Sequence, residues 1–311
     1  MASWKNATGL DRAATLRGIL RPAETAARAD LRRDAPVGEA LRPFVERYWS
    51  VRWDLTGRPP FRSEVLSHPS VNVSVESGSD PHFGFAMPAV LLHGVVTRRF
   101  SVDLTGAGRV TAVKFRPGGF TAFTGVLPAR DSVAPLGREL PVPAGQLLAG
   151  VLAAEDDHDR AAVLDSALLP HAPEPPGAYL DLLGLVGEMI EDRALVRVDQ
   201  VAALGGVSVR SLQRLFAGYV GVSPKAVLAR YRLQDAAAAM DAGEAEDLAG
   251  LAASLGWFDQ AHFSRDFRAV VGITPSAYLH RARSSRSDGH TTGSAGGRPA
   301  VSVDRVASAS T

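Results

Sequence analysis

The chain contains no cysteine. That excludes disulfides, thiolate zinc sites, iron–sulfur clusters and thiol nucleophiles. It also lacks any apolar run near the ~18–20 residues that a membrane helix needs. Its N-terminus lacks the basic–apolar–small pattern of a secretory leader, because charged residues interrupt it throughout. A cytoplasmic protein without membrane contact is therefore expected. Net charge is nearly absent, at +1 over 311 residues, so the whole-chain balance advertises no polyanion partner and charge is read by segment. What is present is an ordinary apolar share of 46%, enough for about two domains of roughly 100–200 residues each.

The texture changes along the chain. Residues 1–36, rich in Ala and Arg, read as a mobile arm. Residues 37–144 hold segments such as 71-VNVSVE-76, 89-AVLLHGVV-96, 97-TRRFSVDL-104 and 109-RVTAVKFR-116, punctuated by Gly, Pro, Ser and Asp. Val, Phe and Thr in short runs predict a small antiparallel β barrel or sandwich. The stretch 104-LTGAGR-109 reads as a hairpin turn. Residues 145–177 carry helical spacing at Leu147, Leu148, Val151, Leu152, Val163, Leu164 and Leu168, then a Pro-rich linker, 170-PHAPEPPG-177. Residues 178–283 read as helical throughout. Residues 284–311, rich in Ser, Gly and Thr, read as a disordered tail. The fold class is thus α+β, a β-rich domain followed by an all-α module.

That module repeats itself. With a shift of 51 residues, 201-VAALGGVSVRSLQRLFAGYVGVSPKAVL-228 falls on 252-AASLGWFDQAHFSRDFRAVVGITPSAYL-279. Each copy reads as a short helix ending at glycine (Gly205, Gly256), an N-cap (Ser208, Asp259) and a second helix. Helix, short turn, helix is the helix-turn-helix pattern. Ser223-Pro224 and Thr274-Pro275 then restart a helix after each unit. Leu212, Leu215 and Phe216 form one inward stripe, and Phe263, Phe267 and Val270 the other.

The outward residues suit base reading. They are Arg210, Gln213 and Arg214 in the first unit, and Gln260, Ala261, His262, Ser264 and Arg265 in the second. Arg offers two donors to guanine O6 and N7, and Gln pairs with adenine N6 and N7. Lys225, Arg230 and Arg232 read as phosphate contacts or solvated charge. From Arg193 to Arg283 there are eleven bases against eight acids, a mild excess of three. Double-stranded DNA is the expected partner. RNA polymerase, a small-molecule effector and a second copy in a homodimer are compatible with the same reading.

These stretches resemble the AraC/XylS family of bacterial transcription regulators. The carriers are 208-SVRSLQRLFAGYVGVSPK-225, 230-RYRLQDA-236 and 255-LGWFDQAHFSRDFRAVVGITPSAY-278. The resemblance implies that each second helix enters the major groove and that Arg210, Gln213, Arg214, Gln260, Ala261, Ser264 and Arg265 face bases. It also implies a role in transcription regulation and no enzymatic activity. Trp257 stands where the family usually has Tyr or Phe. The N-terminal half is similar to an uncharacterised β-rich domain found ahead of such modules, on 48-YWSVRW-53, 68-HPSVNVSVE-76 and 113-VKFRPGGF-120.

A β domain ahead of a DNA module suggests an effector pocket. Its candidate lining is Trp49, Trp53, His68, His93, Phe115 and Arg116, the last able to clamp an anion. Trp49 and Trp53 share a face on either a helix or a strand, which also suits plain core packing. His68, His82 and His93 have no compact ligand spacing and no Glu at ligand spacing, so neither metal nor cofactor is expected. The alternative reading is a cupin-like metal-dependent enzyme with an accessory DNA-binding module, which needs a triad the sequence does not display. A regulator that accepts methyl groups on cysteine is excluded by composition. A scaffold binding protein through residues 145–169 is a third reading.

Overall fold

The computed structural model describes residues 18–34, 38–245 and 247–291. The first half holds two antiparallel sheets. The larger runs β2 (Asp30–Asp34), β3 (Val45–Asp54), β8 (Ala107–Phe115), β5 (Asn72–Gly78), β6 (Ala89–His93) and β9 (Val133–Pro135). The smaller runs β1 (Ile19–Leu20), β4 (Phe61–Val65) and β7 (Phe100–Leu104). Of the two expected architectures this is the sandwich, an open pair of sheets rather than a closed barrel.

Period-two alternation sets the layers. On β3, Tyr48 faces a helical layer, while Arg47, Trp49, Val51 and Trp53 face the space between the sheets. The central strand β8 is buried continuously from Val110 to Phe115, because both of its faces are covered. The helical layer is α3 (Ala144–Ala153) and α4 (Asp157–Leu168). Tyr48 Oη donates to Asp165 Oδ1 at 3.0 Å, and Gly38 N–H donates to Asp165 Oδ2 at 3.0 Å. Residues 144–168 are therefore a layer of the β domain rather than a bridge to the next one. No helix or strand forms over 172–176, inside the Pro-rich stretch.

Two sequence readings are corrected here. Part of the expected arm is ordered: β1 pairs with β4, β2 pairs with β3, and a short helix α1 (Pro22–Ala26) lies between them. The charged texture of 30-DLRRD-34 hid an edge strand, the position where charge is tolerated best. The rest of that arm, residues 1–17 and 35–36, lies outside the described residues. The hairpin at 104–109 is also absent. β7 pairs with β4, whereas β8 pairs with β3 and β5, so Thr105 and Gly106 carry the chain from one sheet to the other.

The helical half begins with α5 (Gly177–Glu191), which docks on the β domain. Tyr179 stacks on Phe44 with centroids 5.9 Å apart and donates its hydroxyl to the Pro43 carbonyl at 2.6 Å. Opposite it, α2 (Gly119–Thr124) starts at Gly119, where a Cβ would collide with the Phe44 carbonyl oxygen. Then follow α6 (Val198–Leu204), α7 (Val209–Tyr219), α8 (Pro224–Ala242), α9 (Leu248–Ser254), α10 (Gln260–Val271) and α11 (Pro275–Thr291). Residues 284–291 of the expected tail continue α11 as helix, and 292–311 lie outside the described residues. Among the described residues, no helix is long and apolar enough to cross a membrane.

Candidate functional site

The two helix-turn-helix units are α6–α7 and α9–α10, joined by α8. Their second helices open as their sequences dictate. Ser208 Oγ accepts from Ser211 N–H at 3.1 Å, and Asp259 Oδ1 accepts from His262 N–H at 2.6 Å. Ser223 and Thr274 cap α8 and α11 in the same way, with Pro224 and Pro275 at the first helical position. Leu212 and Phe216 are fully buried, as are Phe263 and Phe267. The second stripe is completed by the buried Val271, with Val270 at its margin.

The two turns are not equivalent. Gly256 has φ +78°, as a left-handed helix stop requires, but in the first unit the left-handed residue is Gly206 at φ +62°, not Gly205. Val207 N–H bonds to the Ala202 carbonyl, and Trp257 N–H to the Ala252 carbonyl. The first helices are thus related by 50 residues and the second helices by 51. The added residue in the second turn is Phe258, which is 95% exposed.

The outward faces are free of the core. Arg210, Gln213, Arg214, Gln260, Ala261 and Arg265 are exposed, and Ser264 is half-buried. His262 is half-buried too, with Nε2 3.4 Å from Asp266 Oδ2. Asp266 in turn accepts from Trp257 Nε1 at 2.9 Å. Lys225 is exposed. Arg230 and Arg232 are elsewhere. Arg232 lies 4.4 Å over the Trp257 ring and bonds the Gly256 carbonyl, fixing the second turn.

Arg230 is 5% exposed and faces the β domain. Its Nη2 donates to the Val96 carbonyl at 2.7 Å and its Nη1 to the Arg98 carbonyl at 3.1 Å. Burial draws its pKa down to about 10, which leaves it charged at neutral pH. Neighbours on α8 join in: Gln234 donates to the Leu66 carbonyl, and the Tyr231 ring meets His68 edge-on at 5.1 Å. Near the end of α10, the Val270 carbonyl accepts from Arg99 N–H at 2.8 Å. The helix joining the two units and the end of α10 are therefore bonded to the β-domain segments 66–68 and 96–99.

Those segments border a cavity of about 190 Å³ between the sheets. Four of the six candidate lining residues reach it: Trp49, Trp53, His68 and His93. Phe115 and Arg116 do not. Phe115 points to the opposite face, against Phe120 and Phe123, and Arg116 Nε donates to the Arg42 carbonyl at 2.7 Å. The Arg-Pro-Gly-Gly stretch is a strand end packed against its neighbour. The cavity also takes in Phe83 and Phe100 as apolar wall, and Arg33, Arg47 and Lys114 as a basic row. The signal for Arg47 lay in its spacing, two residues before Trp49 on a strand. Arg33 was lost with the supposed arm.

The three histidines part company. His68 goes to Tyr231, while Glu76 gathers the other two: Oε2 lies 2.7 Å from His82 Nδ1, and Oε1 3.3 Å from His93 Nε2. Ser74 Oγ donates to Oε1 at 2.7 Å. Burial opposes the charge on Glu76, but these bonds from His82, His93 and Ser74 outweigh it and bring its pKa to about 2. Glu76 was missed because His93 reaches it from the neighbouring strand and His82 from the loop that follows β5, at spacings that no ligand motif shares. Among the described residues no group of three His, Cys, Asp or Glu is disposed to hold a metal ion.

Residues 201–281 match the family model of a helix-turn-helix domain, and residues 35–132 match a domain of unknown function (DUF6597). An uncharacterized HTH-type transcriptional regulator of Haemophilus influenzae is 32% identical over 81 residues, or 26% of this chain and 27% of that protein. The chain thus spans about a quarter of the length of that curated relative. Among solved structures, a transcriptional regulator of Chromobacterium violaceum with an AraC-type DNA-binding domain is 26% identical. It covers 34% of this chain and 95% of its own, with a TM-score of 0.31. Unsaturated fatty acid-bound ToxT from Vibrio cholerae is 13% identical over 81% of this chain and 91% of its own, with a TM-score of 0.34.

Proposed function

We propose, from the premise that residues 201–281 are a helix-turn-helix domain of the AraC type, that the chain is a sequence-specific DNA-binding transcriptional regulator whose β domain senses a small molecule. The helical half reads two adjacent major-groove segments. Arg210, Gln213 and Arg214 serve one, and Gln260, Ala261, His262, Ser264 and Arg265 the other. The nineteen residues of α8 span roughly 28 Å. With the width of the flanking units added, that suits visits about one helical turn of DNA (~34 Å) apart.

The observation that carries this reading is the joint at α8. One helix sets the separation of both recognition helices, and its Arg230, Tyr231 and Gln234 bind the segments that border the cavity. A ligand that shifts residues 66–68 or 96–99 then shifts α8, a two-state coupling between the sites. We assign the β domain no catalytic role. The protein acts in the cytoplasm on double-stranded DNA, with RNA polymerase and a second copy of the chain as the further partners of this scheme.

The test is selection of genomic fragments by the full chain at moderate salt. A recurrent motif with two half-sites about one turn apart supports the reading, and fragments retained without sequence preference overturn it. Apparent affinity falls with salt as phosphate counterions are released.

A further inference from the structure

The wall of the cavity is unequal in charge. One row across the large sheet runs Arg47, Lys114, Asn72 and His93, each directly opposite the next. Lys114 Nζ lies 3.0 Å from Glu46 Oε2, and Arg47 Nη1 2.9 Å from Glu46 Oε1. Two cations therefore share one carboxylate. Arg33, from the edge strand β2, lines the same end and brings a third cation.

The mutual influence of this cluster is evident in its protonation. Burial, then the proximity of Arg47, lowers Lys114 to about 8 and Arg33 to about 9. Burial works against the charge of Glu46, yet Lys114, Arg47 and His68 hold it well below the usual carboxylate range. The carboxylate that lines the cavity, Glu76, is engaged by His82, His93 and Ser74. It stands four residues along β5 from Asn72, or about 13 Å at strand rise. Three cations gathered at one end of an apolar enclosure favour an anion there. Four aromatic rings, Trp49, Trp53, Phe83 and Phe100, stand in the rest of the wall among aliphatic side chains such as Leu31 and Val102.

We propose that the cavity takes an aromatic carboxylic acid, its ring among Trp49, Trp53, Phe83 and Phe100 and its carboxylate at Arg47 and Lys114 beside Arg33. This rests on the sensor reading of the β domain and specifies its ligand. Arg47 offers a two-pronged donor to the carboxylate, and Lys114 a point charge behind it. Displacement of Glu46 from one of its two partners lets the ligand in without adding an unpaired charge.

The experiment is calorimetric titration of the full chain with indole-3-propionate, its primary amide and tryptamine, which share a ring and differ in charge. The acid is expected to bind at least about tenfold tighter than the amide, with tryptamine weakest, as for a bond to a buried charged group. Arg47→Gln should bring acid and amide to within about threefold of each other, by weakening the acid more than the amide. Arg33→Gln, at the strand edge, gives the same readout if Arg47→Gln fails to fold. Equal or tighter binding of the amide or tryptamine overturns the anionic class, as does silence with all three compounds. An acid affinity untouched in both variants overturns the site. A bound acid that leaves DNA affinity unchanged sustains this assignment and overturns the sensor reading instead.

Discussion

The two helix-turn-helix units share their caps and apolar spacing, yet they are held differently. The first is continuous with the main core: Leu212, Phe216 and Val220 belong to one apolar cluster with Val73 and Val113 of the large sheet. The second has its own cluster around Trp257, Phe263, Phe267 and Tyr278, and reaches the β domain through Leu20 and Leu66. Similar sequence therefore gives similar local structure but unequal attachment. The first unit is fixed relative to the sheet by extensive packing, whereas the second is placed by α8, the Arg232–Trp257 stack, the Arg99–Val270 bond and a few apolar contacts. A change transmitted from the β domain has more room to act on the second unit.

The largest effects test that inequality directly. Phe216→Ala and Phe267→Ala each remove a fully buried ring and should cost about 3–5 kcal/mol of stability. Hydrogen exchange separates them. Phe216→Ala should raise exchange in β5 and β8 as well as in α7, whereas Phe267→Ala should confine the change to α9, α10 and α11. An equal spread from both would break the comparison.

The next effect lies in DNA binding. Arg214→Ala and Arg265→Ala should each cost about 1–3 kcal/mol of affinity, and each should relax preference in a different half of the selected motif. Titrations on substituted fragments at fixed salt measure this. Losses that are uniform across sequences would make these arginines phosphate contacts. The caps come next: Ser208→Ala and Asp259→Ala should each lower stability by about 1 kcal/mol in thermal melts. A clearly smaller loss for either would mean that the two recognition helices do not rely equally on their caps. Phe258→Ser should be smallest, within about 0.5 kcal/mol of the parent, because the inserted ring touches little of the core. A larger loss would show that the second turn depends on it.

Much of the helical half was legible because its determinants are local. An N-cap, a proline at the first helical turn and a stripe at three- and four-residue spacing are each decided within a few residues. One slip, pairing Gly205 with Gly256, arose from the doublet Gly205-Gly206, which lets the repeat be aligned in two ways. The β half was less legible, since its chemistry is assembled across strands. Arg33, Arg47 and Lys114 lie far apart in sequence, and so do Glu76 and His93. The open sandwich, the change of sheet at Thr105 and the burial of Arg230 follow from pairings that periodicity does not encode.

Arg230 and Gln234 bind main-chain oxygens, those of Val96, Arg98 and Leu66. A donor aimed at a carbonyl is indifferent to the side chain that residue carries. Residues around the cavity can therefore be exchanged without redesign of the joint. The carbonyl clamp lets the cavity wall vary while its attachment to the helical half stays the same.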